Sequence, residues 1–264
     1  CGYSSRIPEK CPDCGNTVLL MKGFGTEKIE EELSLIFPEI RIVRMDLDTT
    51  RTKNALQKII NDFEDKRIDI LVGTQMVTKG LDFDNVGLVG ILNADNMLNF
   101  PDFRSFERSY QLMAQVSGRA GRKNQRGKVI IQTYNPSHPI ISNVIENDYS
   151  AMFNSQLIER KKFRYPPYYR LIQVKLKHKN HNVLNKAAAE LTVELRKVFG
   201  KRVLGPEYPL VSRIKNLYLK NILIKIEKES SVSFLKTTLK NQIEIFRAKK
   251  SNSSVKVQID VDPV

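Results

Sequence analysis

The stretch "DILVGTQMVTKGLDF", Asp69 to Phe83, runs from a short apolar segment straight into a loop that ends on a glycine and a carboxylate. A brief apolar run closed by glycine reads as a strand buried on both faces, as in a parallel sheet. Similar units surround it. "RIVRMD" (41–46), "IDILVG" (68–73), "VGLVGILN" (86–93) and "KVIIQTY" (128–134) read as strands, with "VLLM" (18–21) as a fifth. Between them lie segments of helical period. "GFGTEKIEEELSLIF" places Ile29, Leu33 and Phe37 on one face, "DTTRTKNALQKIINDF" opens on Asp48, Thr49 or Thr50 as cap, and "FRSFERSYQLMAQVSG" precedes the last strand. Strands alternating with helices predict an α/β fold with a parallel sheet.

A second loop follows that last helix. "QVSGRAGR", Gln115 to Arg122, sets Arg119 and Arg122 three residues apart on a glycine-rich turn. Small residues let backbone approach a ligand, and a guanidinium fits phosphate oxygens with a two-pronged fork. Both loops are expected at the sheet edge where open α/β sheets bind ligands, with Thr74 suited to a phosphate oxygen and Asp82 to a ribose hydroxyl. The chain carries no "GxxxxGK[ST]" loop and no acidic magnesium motif after a strand, so ATP hydrolysis by this chain alone is not expected. The lobe is RecA-like in outline.

The net charge of +14 is unevenly spread. Residues 1–150 carry 19 Lys+Arg against 20 Asp+Glu, and residues 151–264 carry 24 against 9. Such asymmetry predicts a second domain that meets nucleic acid or an acidic partner. A helical stretch from Pro139 to Phe163 leads to "YPPYY" (165–169), whose prolines mark the boundary. Tyr165, Tyr168 and Tyr169 are read as packing that junction. Beyond it, "RLIQVKLKH", "VLNKAAAELTVELRKVF", "LVSRIKN", "LYLKNILIKIE", "SVSFLKTTLKNQIEIF" and "VKVQIDV" follow in βαββαβ order, which predicts a ferredoxin-like α+β domain. The strand pair over 210–227 is expected to turn tightly and to hold Lys215, Lys220 and Lys225 outward.

The only cysteines are Cys1, Cys11 and Cys14. "CPDCG" puts two thiolates two residues apart with proline and glycine shaping the turn, which favours zinc over a redox pair, and "CG" at Cys1 reads as the surviving end of another such knuckle. The domain boundaries expected are therefore a zinc-module remnant at 1–17, the lobe with its helical extension at 18–163, and the basic domain at 164–264. The chain opens without Met and looks truncated. His138, His178 and His181 show no ligand spacing and receive no role. There is no apolar run of about 18 residues, so no membrane span is expected.

Taken together, "GTQMVTKGLDF" and "QVSGRAGR" resemble motifs V and VI of superfamily 2 helicases. With "CPDCG", "GFGTEKIEEEL", "RMDLDTT", "LNADNMLNFPDFRSFERSYQLMAQVSGRAGR", "RYPPYYRL" and the ending "DVDP", nearly the whole chain resembles the C-terminal half of the PriA family of bacterial primosomal replication-restart helicases. That resemblance implies an ATP-dependent 3′–5′ DNA helicase as the intact protein, restarting stalled forks and initiating primosome assembly. It implies Gln115, Arg119 and Arg122 at the ATP phosphates, with Arg122 as arginine finger. Gly80 and Asp82 would border the nucleotide, and Thr74, Gln75 and Lys79 would meet DNA; from the residues themselves, Thr26 starts a helix whose N-terminus suits either a DNA phosphate or simple capping, and Lys215 and Lys220 are expected to meet DNA. Cys1, Cys11 and Cys14 would be three of eight ligands to two zinc ions, and ATP with Mg²⁺ the other cofactor. The partners implied are single-stranded and forked DNA, the acidic tail of single-strand-binding protein, primosome proteins and the loading of the replicative helicase, in a cytoplasmic, nucleoid-associated setting. Relatives often carry His at Leu81, and the Leu217–Tyr218 loop is less basic than in some of them. The rival readings are a non-catalytic zinc and nucleic-acid-binding module and another superfamily 2 repair helicase.

Overall fold

A computed structural model describes residues 9–10, 15–17, 25–74, 83, 86–118, 120–121, 127–228 and 232–263. The chain divides into two compact units, with the division between Gln156 and Leu157. That point falls inside a helix. The helical stretch expected over 139–163 is two helices, α5 (Pro139–Glu146) and α6 (Tyr149–Lys162), separated by Asn147 in the left-handed region at φ 54. Asn tolerates that conformation better than most residues, so α5 stops there and α6 begins after it.

In the first unit the apolar runs form strands where periodicity placed them. β1 (Ile42–Met45) pairs in parallel with β2 (Ile70–Gly73), and β3 (Leu88–Ile91) in parallel with β4 (Lys128–Ile131). Four of the five expected strands are thus present as two parallel pairs, and the fifth, 18–21, lies outside the described residues. Arg41 fixes the start of the first pair. Its Nε and Nη2 donate to the two oxygens of Asp69 at 2.8 Å each, and its backbone N–H donates to the same carboxylate at 3.0 Å. This fork holds the Asp69 carboxyl well below the ordinary range, at about 2.

Helix α1 (Thr26–Ile36) has no fully buried residue; Ile29 and Leu33 are half-buried, while Phe37, expected on the same face, is exposed. Helix α2 (Lys53–Glu64) is capped by Thr52, whose Oγ1 accepts from the Ala55 N–H at 3.2 Å. Asp48, Thr49 and Thr50 are committed elsewhere: all three fold around Asp46, so the cap falls to the next hydroxyl along. Short α3 (Ala94–Leu98) and α4 (Ser105–Ser117) pack with α5, burying Ala94, Leu98, Tyr110, Met113, Ile140 and Ile141 in one core.

The second unit is one antiparallel sheet with two helices. Its elements run β5 (Tyr169–His178), α7 (His181–Phe199), β6 (Val203–Glu207), β7 (Arg213–Ile214), β8 (Leu217–Glu227), α8 (Val232–Ala248) and β9 (Lys256–Val261). The strand order is β6-β8-β5-β9, with β7 pairing the start of β8. Ile172, Val174, Leu176, Ile222, Ile224 and Ile226 line one face and meet Leu184, Leu191, Leu195, Leu239, Ile243 and Phe246 of the helices. Truncating one of these leucines to alanine costs about 2–5 kcal/mol.

Two expectations fail here for identifiable reasons. The edge strand is "VLGPE", not "LVSRIKN", of which only Arg213 and Ile214 pair. Gly205 and Pro206 make that segment read as a loop, yet a proline is tolerated on an edge strand at an irregularity, and the register shifts between Leu204 and Glu207. Gly205 has φ 96, and a Cβ there would press on the Asn221 carbonyl. The second failure concerns parity. Lys220 and Lys225 are an odd number of residues apart on one strand, so they cannot share a face. Lys220 shares the helix-side face of β8 with Ile222 and Ile224; Lys225 lies on the other face and is only 8% exposed.

Candidate functional site

The two loops singled out by sequence leave the first unit at different ends of their strands. Thr74 is exposed directly after the C-terminal end of β2, the ligand edge of an open α/β sheet. Gln115, also exposed, stands in the last turn of α4, whose following loop enters β4 at its N-terminal end.

The Gly121 N–H donates to the Val86 carbonyl at 3.0 Å and the Lys128 N–H to the Gly87 carbonyl at 2.9 Å, tying Gly121 and the start of β4 to the two residues that precede β3. Gly121 takes φ 79, and a Cβ on Gly127 would overlap the backbone of Ala120 and Gly121. Gly121 and Gly127 thus bring their backbones together at close range. Gln75, Lys79, Gly80, Asp82, Arg119 and Arg122 lie outside the described residues, as do Cys1, Cys11 and Cys14.

Carboxylates brace the unit at both strand pairs. Asp46, at the end of β1, accepts from the Thr26 hydroxyl at 2.7 Å and from the Thr49 and Asp48 N–H groups, and Arg44 Nε lies 3.2 Å away. The Thr26 hydroxyl first, then these N–H groups and the Arg44 charge, lower the Asp46 pKa. Thr26 begins α1 without a side-chain cap, so a DNA phosphate at that helix start would share it with the Asp46 carboxylate. Asp95 accepts from the Tyr134 N–H and the Thr133 hydroxyl, both at 3.0 Å, and joins the end of β3 to the end of β4. Asp102 accepts from the Arg104 N–H and pairs with Arg108 at 3.0 Å at the head of α4.

In the second unit, β7 and β8 are joined by Lys215 and Asn216, both with positive φ (47 and 61), the two-residue turn that antiparallel twist favours. Lys215 stands exposed at its tip. Lys220 Nζ lies 4.1 Å from the centroid of the Tyr208 ring, and the Arg213 guanidinium 4.9 Å from that of Tyr218. His181 joins the two. It stacks on Tyr208 at 5.7 Å, meets Tyr218 edge-on at 5.4 Å, and shares a 2.6 Å hydrogen bond with the Tyr208 hydroxyl. The result is a row of alternating cations and rings, an arrangement suited to phosphates and stacked bases. Sequence gave no role to His181 or Tyr208. They are 27 residues apart and meet only because α7 begins beside the end of β6.

The chain matches a family described as the helicase conserved C-terminal domain over residues 16–124 and one described as the primosomal protein N C-terminal domain over residues 161–264. A helicase C-terminal lobe followed by a primosomal C-terminal domain is the class of protein these units define. Replication restart protein PriA of Bacillus subtilis is 40% identical over 265 residues, covering 100% of this chain and 32% of that protein. Its counterparts in Synechocystis and Treponema pallidum are 40% and 38% identical, again over 100% of this chain, and are covered to 31% and 39% of their own length. The chain belongs to the PriA family, and it spans roughly a third of the length of these relatives. No helix among the described residues is long and apolar enough to cross a membrane.

Proposed function

We propose that this chain supplies the second motor lobe and the basic DNA-binding unit of an ATP-dependent 3′–5′ DNA helicase that restarts stalled replication forks and initiates primosome assembly. The observations that support the reading are the family matches over both units and the Gly121 N–H bonded to the Val86 carbonyl with Gly127 close against the same backbone. In this reading Gly80 and Asp82 border the nucleotide, and Gln115, Arg119 and Arg122 face the phosphates of ATP bound with Mg²⁺ by the rest of the protein. Fixed cations stabilise the charge that develops on the transferring phosphoryl group. Thr74, Gln75 and Lys79 contact the DNA backbone, and Thr26 adds only its backbone N–H groups. The strand order of the second unit supports a ferredoxin-like arrangement, with Lys215, Lys220 and the neighbouring rings meeting single-stranded DNA. The acidic tail of single-strand-binding protein and primosome proteins are its further partners, in a cytoplasmic, nucleoid-associated setting.

The test is Arg122→Ala in the complete protein. DNA-stimulated ATP turnover should fall by about 10³-fold or more with little change in nucleotide binding; normal turnover would refute the arginine's role. Cys11 and Cys14 carry the donor chemistry of a zinc knuckle, soft thiolates two residues apart on a Pro and Gly turn, and Cys1 belongs to the same module. Two zinc ions per complete protein are proposed on that ground, and bound zinc would hold the module's fold. Cys14→Ser should lower the zinc content of the purified protein while leaving ATP turnover largely intact; equal zinc in both proteins would remove the assignment.

A further inference from the structure

The second unit holds a cavity of about 230 Å³ on a different part of its surface from the Lys215 turn. Five of its seven lining side chains are cationic and none is acidic. Lys162 and Arg164 come from the end of α6 and just beyond it, Lys201 and Arg202 from the turn after α7, and Lys225 from β8. Arg202 has a partner, Glu227 Oε2 at 2.8 Å. Lys225 is different. Its ammonium is buried, donates to the Phe163 carbonyl at 2.7 Å and lies 3.5 Å from the centroid of the Tyr165 ring. Burial first, and the Arg164 charge second, lower its pKa. A buried ammonium held by a carbonyl and a ring, with a second cation adjoining, is an arrangement an anion would complete.

What that anion belongs to follows from the rim. Phe163 lines the same cavity, its side chain is 56% exposed, and Lys162 Nζ lies 5.5 Å from its ring centroid. An exposed ring flanked by cations offers a stacking face next to a charge site, which matches the repeating unit of a nucleic acid strand, one base plane and one phosphate. Arg164 is held at φ 59, a costly backbone for an arginine, so its placement at this mouth is imposed by the surrounding fold.

We propose that this cavity seats one backbone phosphate of single-stranded DNA between Lys225 and Arg164, with the adjoining base stacked on Phe163. The inference rests on the reading of this unit as a DNA-binding one, and adds a second contact point to the Lys215–Lys220 row. The test uses the whole 264-residue chain with a fluorescent oligothymidine of about 15 nucleotides and a matching abasic strand. Phe163→Ala should weaken oligothymidine binding about tenfold and leave abasic-strand binding unchanged. Lys225→Met keeps the buried methylenes; it should weaken both strands and reduce the logarithmic salt slope by about 0.7. Thermal melts establish that each variant is folded, and Lys225→Arg, which restores the charge, should recover binding if Lys225→Met loses it. If both variants bind like the parent while Lys215→Ala with Lys220→Ala binds more weakly, the cavity proposal is overturned and the DNA reading stands. If the parent itself fails to bind oligothymidine at low salt, both fall. Loss of binding to an acidic peptide with unchanged DNA binding would also overturn the proposal, in favour of a peptide site.

Discussion

In the proposed reading the first unit carries its functional side chains on loops beside short parallel strand pairs, whereas the second carries them on the strands and hairpin of one continuous antiparallel sheet. The charge balance follows the same division, close to neutral in the first 150 residues and strongly basic after them. In that reading, arginines aimed at a phosphate need a position set to a fraction of an ångström but little surrounding field, which the Gly121 bond to Val86 with Gly127 against it would help to set. A surface proposed to hold a strand of DNA needs many moderate contacts over a wide area, which a sheet carrying Arg213 and Lys220 beside the Tyr218 and Tyr208 rings, with Lys215 at the hairpin tip, would provide. The contrast implies that small backbone changes should damage the first function and side-chain charge changes the second.

The sharpest way to break the contrast is Gly127→Ala. An added Cβ would push the loop base apart, and a shift of about 1 Å in the arginines should cost the complete protein roughly 100-fold in DNA-stimulated ATP turnover, with DNA binding at low salt unaltered. Turnover within twofold of the parent would show that this close approach does not position the arginines. A smaller effect is expected from Lys215→Ala with Lys220→Ala: DNA affinity should fall about five- to tenfold, with a salt slope lower by about 1.4, and ATP turnover at saturating DNA should hold. An equal loss of turnover would mean that the two units do not divide the work in this way.

The smallest effect is on stability against pH. The Asp69 carboxyl titrates at about 2 in the folded chain against an ordinary value of 3.8, because Arg41 binds its charged form. A depressed folded pKa adds stability that is fully present above the ordinary value and is lost as pH falls from there through about 2. Urea melts of the parent and Asp69→Asn should therefore differ slightly at neutral pH and converge at the acid end. A constant difference across that range would show that the fork is not what shifts the carboxyl.

Much of this was legible in the sequence, and each failure has its own physical origin. The strands at Ile42–Met45, Ile70–Gly73, Leu88–Ile91 and Lys128–Ile131 announce themselves as short, mostly apolar runs, even though Leu88 and Ile130 turn out to be exposed. The order of elements in the basic unit was legible for a similar reason, as was the Lys215–Asn216 turn between two apolar segments. "VLGPE" was not, because proline and glycine are loop signals except where an edge strand breaks register. His181, Tyr208 and the Lys225 cavity were invisible, since each depends on segments brought together by the fold. The placement of Lys220 and Lys225 on one face was an avoidable error: counting along the strand would have separated them.

The β3–β4 pair has a property that matters mechanically. At one end it is tied through Gly121 to Val86 and Lys128 to Gly87; at the other, Gln132 donates to Ile91, Ala94 donates to Gln132, and Asp95 holds Thr133 and Tyr134. Because the strands are parallel and fastened at both ends, a tensile load along their axis stretches all of these bonds at once. Such a pair yields by shear, with the force shared among its fastenings, rather than opening like a zip one bond at a time.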